Sequence, residues 1–327
     1  MRKSVGSGAS ERDTSSVHTD DPFRMGERCS WYDASKLSMQ WTYYFVTNDG
    51  ALVYIGFAGR LHAPDGRPFS GINLVVLRDN KEVINLWNRF PTEALEIREI
   101  DLDISLGPNK ILREIIDGKN RYTCHLEVKR DDGQSIVLDA VFSQVVDTCR
   151  DGGFNLLSWE EQGNYFEYEV PCPKGQLSGS LIVDGKNQSI DGNGYLESIR
   201  WLKSDLIKPA QWHWGYAYTG PYTVLFFRPG EYPHTRTLLS ISRGADCVAV
   251  IEDAEMKVSQ PTQTSGDLSL EYKGEELDLL LTVDSHASRT KSFPIFLAPY
   301  EIDLRIGETH HQDRGIMVFE KGEWKSF

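Results

Sequence analysis

Apolar and polar positions alternate over short spans along this chain, and no apolar periodicity of helical type is sustained for 12 or more residues. Residues 39–46 (MQWTYYFV), 52–57 (LVYIGF) and 72–77 (INLVVL) are short runs rich in aromatic and β-branched side chains. Such runs predict strands. Turn-forming groups punctuate them: Asn48-Asp49-Gly50, Pro64-Asp65-Gly66, Arg78-Asp79-Asn80, Asp131-Asp132-Gly133, Asp184-Gly185 and Lys273-Gly274. Asn or Asp beside Gly supplies the positive φ that tight hairpins require. Only residues 109–117 and 202–207 have a locally helical pattern. The fold class predicted is therefore all-β, with antiparallel strands closed into barrels or stacked as sandwiches.

A chain of 327 residues is long for one barrel, so two domains are expected. The reading adopted places a tail at 1–28, a first β domain at 29–190 and a second at 191–327. The boundary rests on residues 184–194 (DGKNQSIDGNG), which are poor in apolar side chains. The same stretch also suits a hairpin within one domain. The tail is rich in Ser, Gly and Asp and carries no apolar secretory segment, which predicts a mobile N-terminus and a cytoplasmic protein.

Charge narrows the choice of partners. A net charge of −13 disfavours nucleic acid and anionic membrane surfaces, both of which need a basic face. No apolar run is long enough to span a bilayer as a helix. Five cysteines without CxxC spacing predict core residues or inert thiols in a reducing compartment, not a zinc or disulfide framework. The expected partner is a hydrophobic small molecule, bound by a monomer or a homodimer.

Residues 209–218 (PAQWHWGYAY) carry the strongest local signal. On a strand, Trp212, Trp214, Tyr216 and Tyr218 share one face, and His213, Gly215 and Ala217 share the other. Four large aromatics in a row form either a heavy core or the wall of a cavity. Their polar tips suit a ligand site. His213, on the opposite face, is assigned a packing or surface role.

Two islands resemble a known family. Residues 40–44 (QWTYY) are similar to the aromatic opening strand of the lipocalin-like hydroxyneurosporene synthase (carotenoid 1,2-hydratase) and AttH family. Residues 192–197 (GNGYLE), with Trp201 and then Trp212-His213-Trp214-Gly215, resemble that family's Gly-x-Gly-Tyr-x-acid segment and its later Trp-x-Trp. Tocopherol cyclases and fungal Diels–Alder-type cyclases are similar here. The resemblance implies two lipocalin-like β domains with a ligand site at or near their junction. Where the hydratases carry histidines, this chain has Leu196 and Ser198.

The departure shapes the expected function. Alkene hydration needs an acid and a group to steer water, and Glu197 supplies only the first. A cofactor-free cyclase of pericyclic type needs a shaped wall and one hydrogen-bond donor, which aromatic residues can provide. The leading expectation is such a cyclase, acting on a polyene or polyketide-like intermediate of natural-product biosynthesis. A hydratase or proton-initiated cyclase using Glu197, and a non-catalytic carrier, are the alternatives. The candidate catalytic residues are Glu197 and Tyr216; the candidate substrate-binding residues are Trp41, Tyr43, Asn73, Trp201, Trp212, Trp214 and Tyr218. No cofactor and no metal are expected. Glu308, His310, His311 and Asp313 are read as a solvated loop, and no zinc, nucleophile-elbow or phosphate-loop motif occurs.

Overall fold

The protein is represented by a computed structural model that describes residues 23–25, 38–62, 66–98, 103–146, 154–161, 164–202, 211–228, 237–244, 246–258, 267–284 and 295–323. These residues are almost entirely strand. The first unit comprises β1 (Phe23–Met25), β2 (Ser38–Thr47), β3 (Leu52–His62), β4 (Pro68–Arg78), β5 (Lys81–Phe90), β6 (Leu95–Arg98) and β7 (Asp103–Leu106). It continues with β8 (Asn109–Ile116), β9 (Lys119–Lys129), β10 (Ser135–Val146), β11 (Phe154–Glu161), β12 (Asn164–Val183) and β13 (Lys186–Leu202). The second comprises β14 (Gln211–Thr219), β15 (Tyr222–Arg228), β16 (Thr237–Arg243), β17 (Asp246–Val258), β18 (Asp267–Lys273), β19 (Leu277–Asp284), β20 (Ile295–Ile306) and β21 (Thr309–Glu323).

The first unit is an antiparallel sheet of 13 strands in the order β5-β4-β3-β2-β13-β12-β10-β9-β8-β7-β6, with β11 also on β12 and β1 on β11. The second is a closed eight-stranded barrel in which β14 pairs with β21. This is the two-domain, lipocalin-like all-β architecture expected. Within the first sheet, Asn88 of β5 both donates to the Lys129 carbonyl (2.9 Å) and accepts from the Lys129 N–H (2.7 Å). One side-chain amide thereby stands in for a rung of backbone ladder between β5 and β9.

Hairpin chemistry explains the meander. Asp79 and Asn80 (φ 51° and 55°), Asp117-Gly118 (52° and 76°) and Asp184-Gly185 (52° and 71°) all occupy the left-handed region. Two consecutive positive φ values match the twist of the flanking strands. The Asp184 to Gly194 stretch is thus the β12–β13 hairpin and the run into β13. The change of unit falls at 203–210, beyond the boundary expected after residue 190. Residues 109–117 also depart from expectation, forming β8 and its turn. Their apolar spacing mimics a helix, but Leu112, Ile115 and Ile116 lie exposed while Ile111 enters the core. Residues 203–207, of the other segment with a helical pattern, and the tail at 1–22 lie outside the described residues.

Strand alternation divides the apolar residues among three cores. Trp41, Tyr43 and Phe45 of β2, with Ile55, Leu74 and Leu196, fill the interior of the first unit. Val224, Phe226, Ala217 and Phe319 fill the barrel. Tyr44, Tyr54, Val75, Tyr168 and Tyr195 point the other way and meet Trp214, Tyr216, Leu225, Phe227 and Leu297 between the units. Several strands are therefore buried on both faces. Asn80 reinforces the junction by donating to the Leu297 carbonyl (2.8 Å) and accepting from its N–H (2.9 Å).

The glycines of β13 serve close approach. A Cβ on Gly192 would lie 2.1 Å from the Val46 carbonyl oxygen and 2.8 Å from Thr47 Cα, both backbone atoms. No helix among the described residues is long and apolar enough to cross a membrane. Cys124 and Cys172 are buried free thiols in the first core. Cys247 is disulfide-bonded, a pairing that the sequence reading did not single out. A bridge depends on two Cα atoms meeting in space, which cysteine spacing along the chain does not encode.

Two predictions follow from the junction and the β2–β13 contact. Asn80→Ala is expected to lower unfolding free energy by ~2–3 kcal/mol in urea titration, through two lost hydrogen bonds and an alanine at positive φ. Asn80→Gly, which tolerates that φ, recovers only the backbone part. Gly192→Ala should cost ~3 kcal/mol or more, because backbone atoms cannot yield as a flexible side chain would.

Candidate functional site

The junction holds a group of polar side chains inside an otherwise apolar contact. Glu197 lies opposite Thr42 in the β13–β2 ladder, and Tyr195 lies opposite Tyr44. Alternation turns all four toward the second unit. Across the junction, Glu320 of β21 sits opposite Trp214 of β14 and shares its face. Glu197 is 3% exposed, whereas Glu320 is partly exposed.

A hydrogen-bond chain links the two carboxyl groups. Tyr44 Oη donates to Glu197 Oε1 at 2.9 Å and lies 3.1 Å from Glu320 Oε2. Tyr168 Oη is 3.1 Å from Glu197 Oε2, accepts from Trp214 Nε1 at 2.8 Å, and shares a short hydrogen bond with Tyr195 Oη. Trp212 Nε1 donates to Glu320 Oε1 at 2.8 Å. Five aromatic residues from both units thus hold two acids. Among the described residues no Lys, Arg or His pairs with either.

Burial without a cation decides the protonation state. Loss of water, then the neighbouring Glu320 carboxyl, pushes the Glu197 pKa up to about 8, against the pull of the tyrosine hydroxyls. Loss of water also pushes Glu320 up to about 7, opposed by Trp212 and Tyr44. At neutral pH Glu197 is therefore a neutral carboxylic acid, a proton donor of the strength that acid catalysis uses.

The aromatic row behaves as its alternation predicts, but its rings are packed instead of facing open space. Tyr44 stacks on Trp214 with centroids 4.5 Å apart, Tyr195 on Tyr216 at 5.3 Å, and Tyr168 on Phe227 at 4.4 Å. Trp214 and Tyr216 are 2% and 1% exposed. Trp201, Trp212 and Tyr218 are only partly buried against this cluster. Along β13 the exposed side is reached beyond Glu197, at Ile199 and Trp201; along β14 it is reached beyond Trp214, at Trp212. β13 ends and β14 begins on that side, so the acid pair lies inside one end of the junction.

The other candidates divide. Trp41 and Tyr43 do not join the row, because strand parity turns them into the first core. The Tyr216 hydroxyl contacts the Tyr44 carbonyl at 3.4 Å and not Glu197. Asn73 faces the junction side from β4, two strands from β2, and its Oδ1 is buried without a hydrogen-bond partner. His213 is 5% exposed and packs near Phe319. His310 and His311 lie on β21, not in a loop; His310 bonds Asp303 at 2.9 Å and His311 meets the Tyr222 ring. Tyr44, Tyr168, Tyr195 and Glu320 were not singled out by sequence reasoning. Tyr195 was detectable by stepping two residues back from Glu197, and Glu320 as the lone acid ending the apolar run Met317-Val318-Phe319.

The raised Glu197 pKa predicts a pH dependence of stability. Between the ordinary carboxyl value of 4.5 and about 8 the folded protein retains a proton that the unfolded chain has released. Stability therefore falls as pH rises through that window and levels off above it. In Glu197→Gln the slope is expected to flatten, leaving the smaller contribution of Glu320; urea titrations across the window measure it.

No protein-family model matches the chain, and no curated protein matches it either. Similar solved structures exist. Kievitone hydratase from Nectria haematococca superposes with a TM-score of 0.55 at 16% identity, over 88% of this chain and 89% of that one. CghA gives 0.53 at 13% identity, over 89% and 90%. An AttH-like protein from Nitrosomonas europaea gives 0.51 at 15% identity, over 87% and 92%. Over 87–89% of its length the chain shares the lipocalin-like two-unit fold of these three proteins.

Proposed function

We propose that this protein is a cofactor-independent enzyme that protonates an apolar substrate from Glu197 and so starts a hydration or a cyclisation. The observation that carries this reading is a buried carboxyl with no cation paired to it among the described residues, held by tyrosine hydroxyls among stacked aromatic rings. Donation to an alkene or carbonyl leaves a cation or a polarised centre on the substrate. The faces of Trp201 and Trp212, at the accessible end, suit such a cation, because the negative face of an aromatic ring attracts positive charge.

A polyene or polyketide-like intermediate of natural-product biosynthesis is the substrate class we propose. The apolar surroundings of Glu197 support it, as does the fold shared with a hydratase. The geometry favours acid-initiated chemistry over the purely pericyclic cyclase expected from the residue pattern. A pericyclic reaction needs at most one hydrogen-bond donor, which leaves the second of two acids, buried at desolvation cost, without a use. The two differ in what Gln can replace, since it keeps a hydrogen-bond donor but has no proton to give.

Purified protein incubated with a panel of linear polyenes and polyketide-like chains, without metal or nucleotide, tests the reading by product analysis. Glu197→Gln is expected to reduce turnover by ~10²–10⁴, the usual contribution of a positioned acid. Full activity in that variant would redirect the assignment to a shape-directed cyclase. Ligands recovered unchanged from the wild-type protein would indicate a carrier.

A further inference from the structure

We infer that Glu320 is the proton reservoir for Glu197, delivering its proton across the junction through the Tyr44 hydroxyl. The inference rests on the proposed role of Glu197 as the acid and adds the route by which that acid is recharged. Glu197 is buried, and its two carboxyl oxygens meet the hydroxyls of Tyr44 and Tyr168. Glu320, whose carboxyl has likewise lost most of its water, keeps partial exposure as a residue and is bonded to the partly exposed Trp212. Tyr44 is the one described group that hydrogen-bonds both acids, at 2.9 Å and 3.1 Å.

Proton counting sharpens the point. A phenol has a single hydrogen and can donate to only one of two carboxylates. Two contacts at hydrogen-bonding distance are satisfied when Tyr44 donates to one carboxyl and accepts from the other, which must then be protonated. No lysine, arginine or histidine among the described residues offsets a second negative charge here. The groups facing the pair are Tyr44 and Thr42 from β2, Tyr54 from β3, Tyr168 from β12, Tyr195 from β13, and Trp212 and Trp214 from β14. All are neutral. Two close acids in such surroundings resist ionisation, and the transfer starts with both protonated, Tyr44 donating to Glu197 and accepting from Glu320.

The transfer balances without any co-reactant. Glu197 gives its proton to the substrate and becomes a carboxylate. Tyr44 passes its hydroxyl proton to Glu197 Oε1 and takes one from Glu320. Glu320 then carries the negative charge, stabilised by the Trp212 N–H. The proton released when water adds, or when the cyclised cation loses hydrogen, returns to Glu320. In this scheme Tyr44 and Glu320 are positioning and relay residues, and only Glu197 meets the substrate.

Infrared difference spectroscopy of the whole protein, following the protonated-carboxyl stretch after dilution into D2O, tests this without a substrate. The band lost in Glu197→Gln is the Glu197 acid. In Glu320→Gln and Tyr44→Phe, with folding verified by circular dichroism, that band is expected to persist but exchange about 100-fold more slowly. A structural role alone leaves the exchange rate near the wild-type value. Wild-type exchange in both variants overturns the relay while leaving Glu197 as the acid. If no protonated-carboxyl band is lost in Glu197→Gln, the neutral-acid reading beneath the relay is overturned instead, whereas a remaining band lost in Glu320→Gln belongs to the reservoir. Should Glu320→Gln fail to fold, Tyr44→Phe, which deletes one oxygen from a packed ring, gives the same decision.

Discussion

Burial on both faces of the same strands is the constraint on which this molecule depends. β2, β3, β4, β12 and β13 turn one set of side chains into the first core and the alternate set against the second unit. Neither face can then be left polar without cost, and a slip of one residue would exchange the two sets entirely. Asp-Gly and Asp-Asn hairpins, the glycines of β13 and the amide clasps of Asn80 and Asn88 all hold that register. The two units thus make one structure, with the interface as a third core.

A pair of carboxyls in such an interface opposes folding. Apolar residues of similar size would stabilise the same contact better, since a buried acid gives up hydration that hydrogen bonds only partly replace. The rings around Glu197 and Glu320 offset part of that cost by directing O–H and N–H groups at the oxygens. Groups that oppose stability and yet are fully hydrogen-bonded are a physical mark of a functional site.

Much of the architecture was legible in the residues. The turns announced the hairpins, and the alternation in Trp212-His213-Trp214-Gly215-Tyr216 assigned its faces as they are found. Hairpin and boundary look alike in composition, which is why the Asp184-Gly185 turn passed for a domain junction. Residues 109–116 passed for a helix because apolar groups on an exposed strand face can fall at helical spacing. Only half of the site was visible for a related reason. Glu197 and Tyr195 lie in one recognisable segment, but Glu320 and Tyr168 arrive from strands far away in sequence, and no local pattern encodes that meeting. Trp41 shared the aromatic signal of its neighbours while pointing into the other core. In a strand with two apolar faces, composition no longer indicates direction.

The sealed packing of Trp214 and Tyr216 bears on which atom of a guest reacts. On the proposed reading a guest arrives past Trp201 and Trp212 and is halted by rings that leave no passage beyond the acid. A guest of that kind would meet Glu197 with its leading terminus, its bulk lying toward Trp201 and Trp212. Regiochemistry would then be set by depth of insertion: the first few carbons are selected, and the remainder of the chain is free to vary in length.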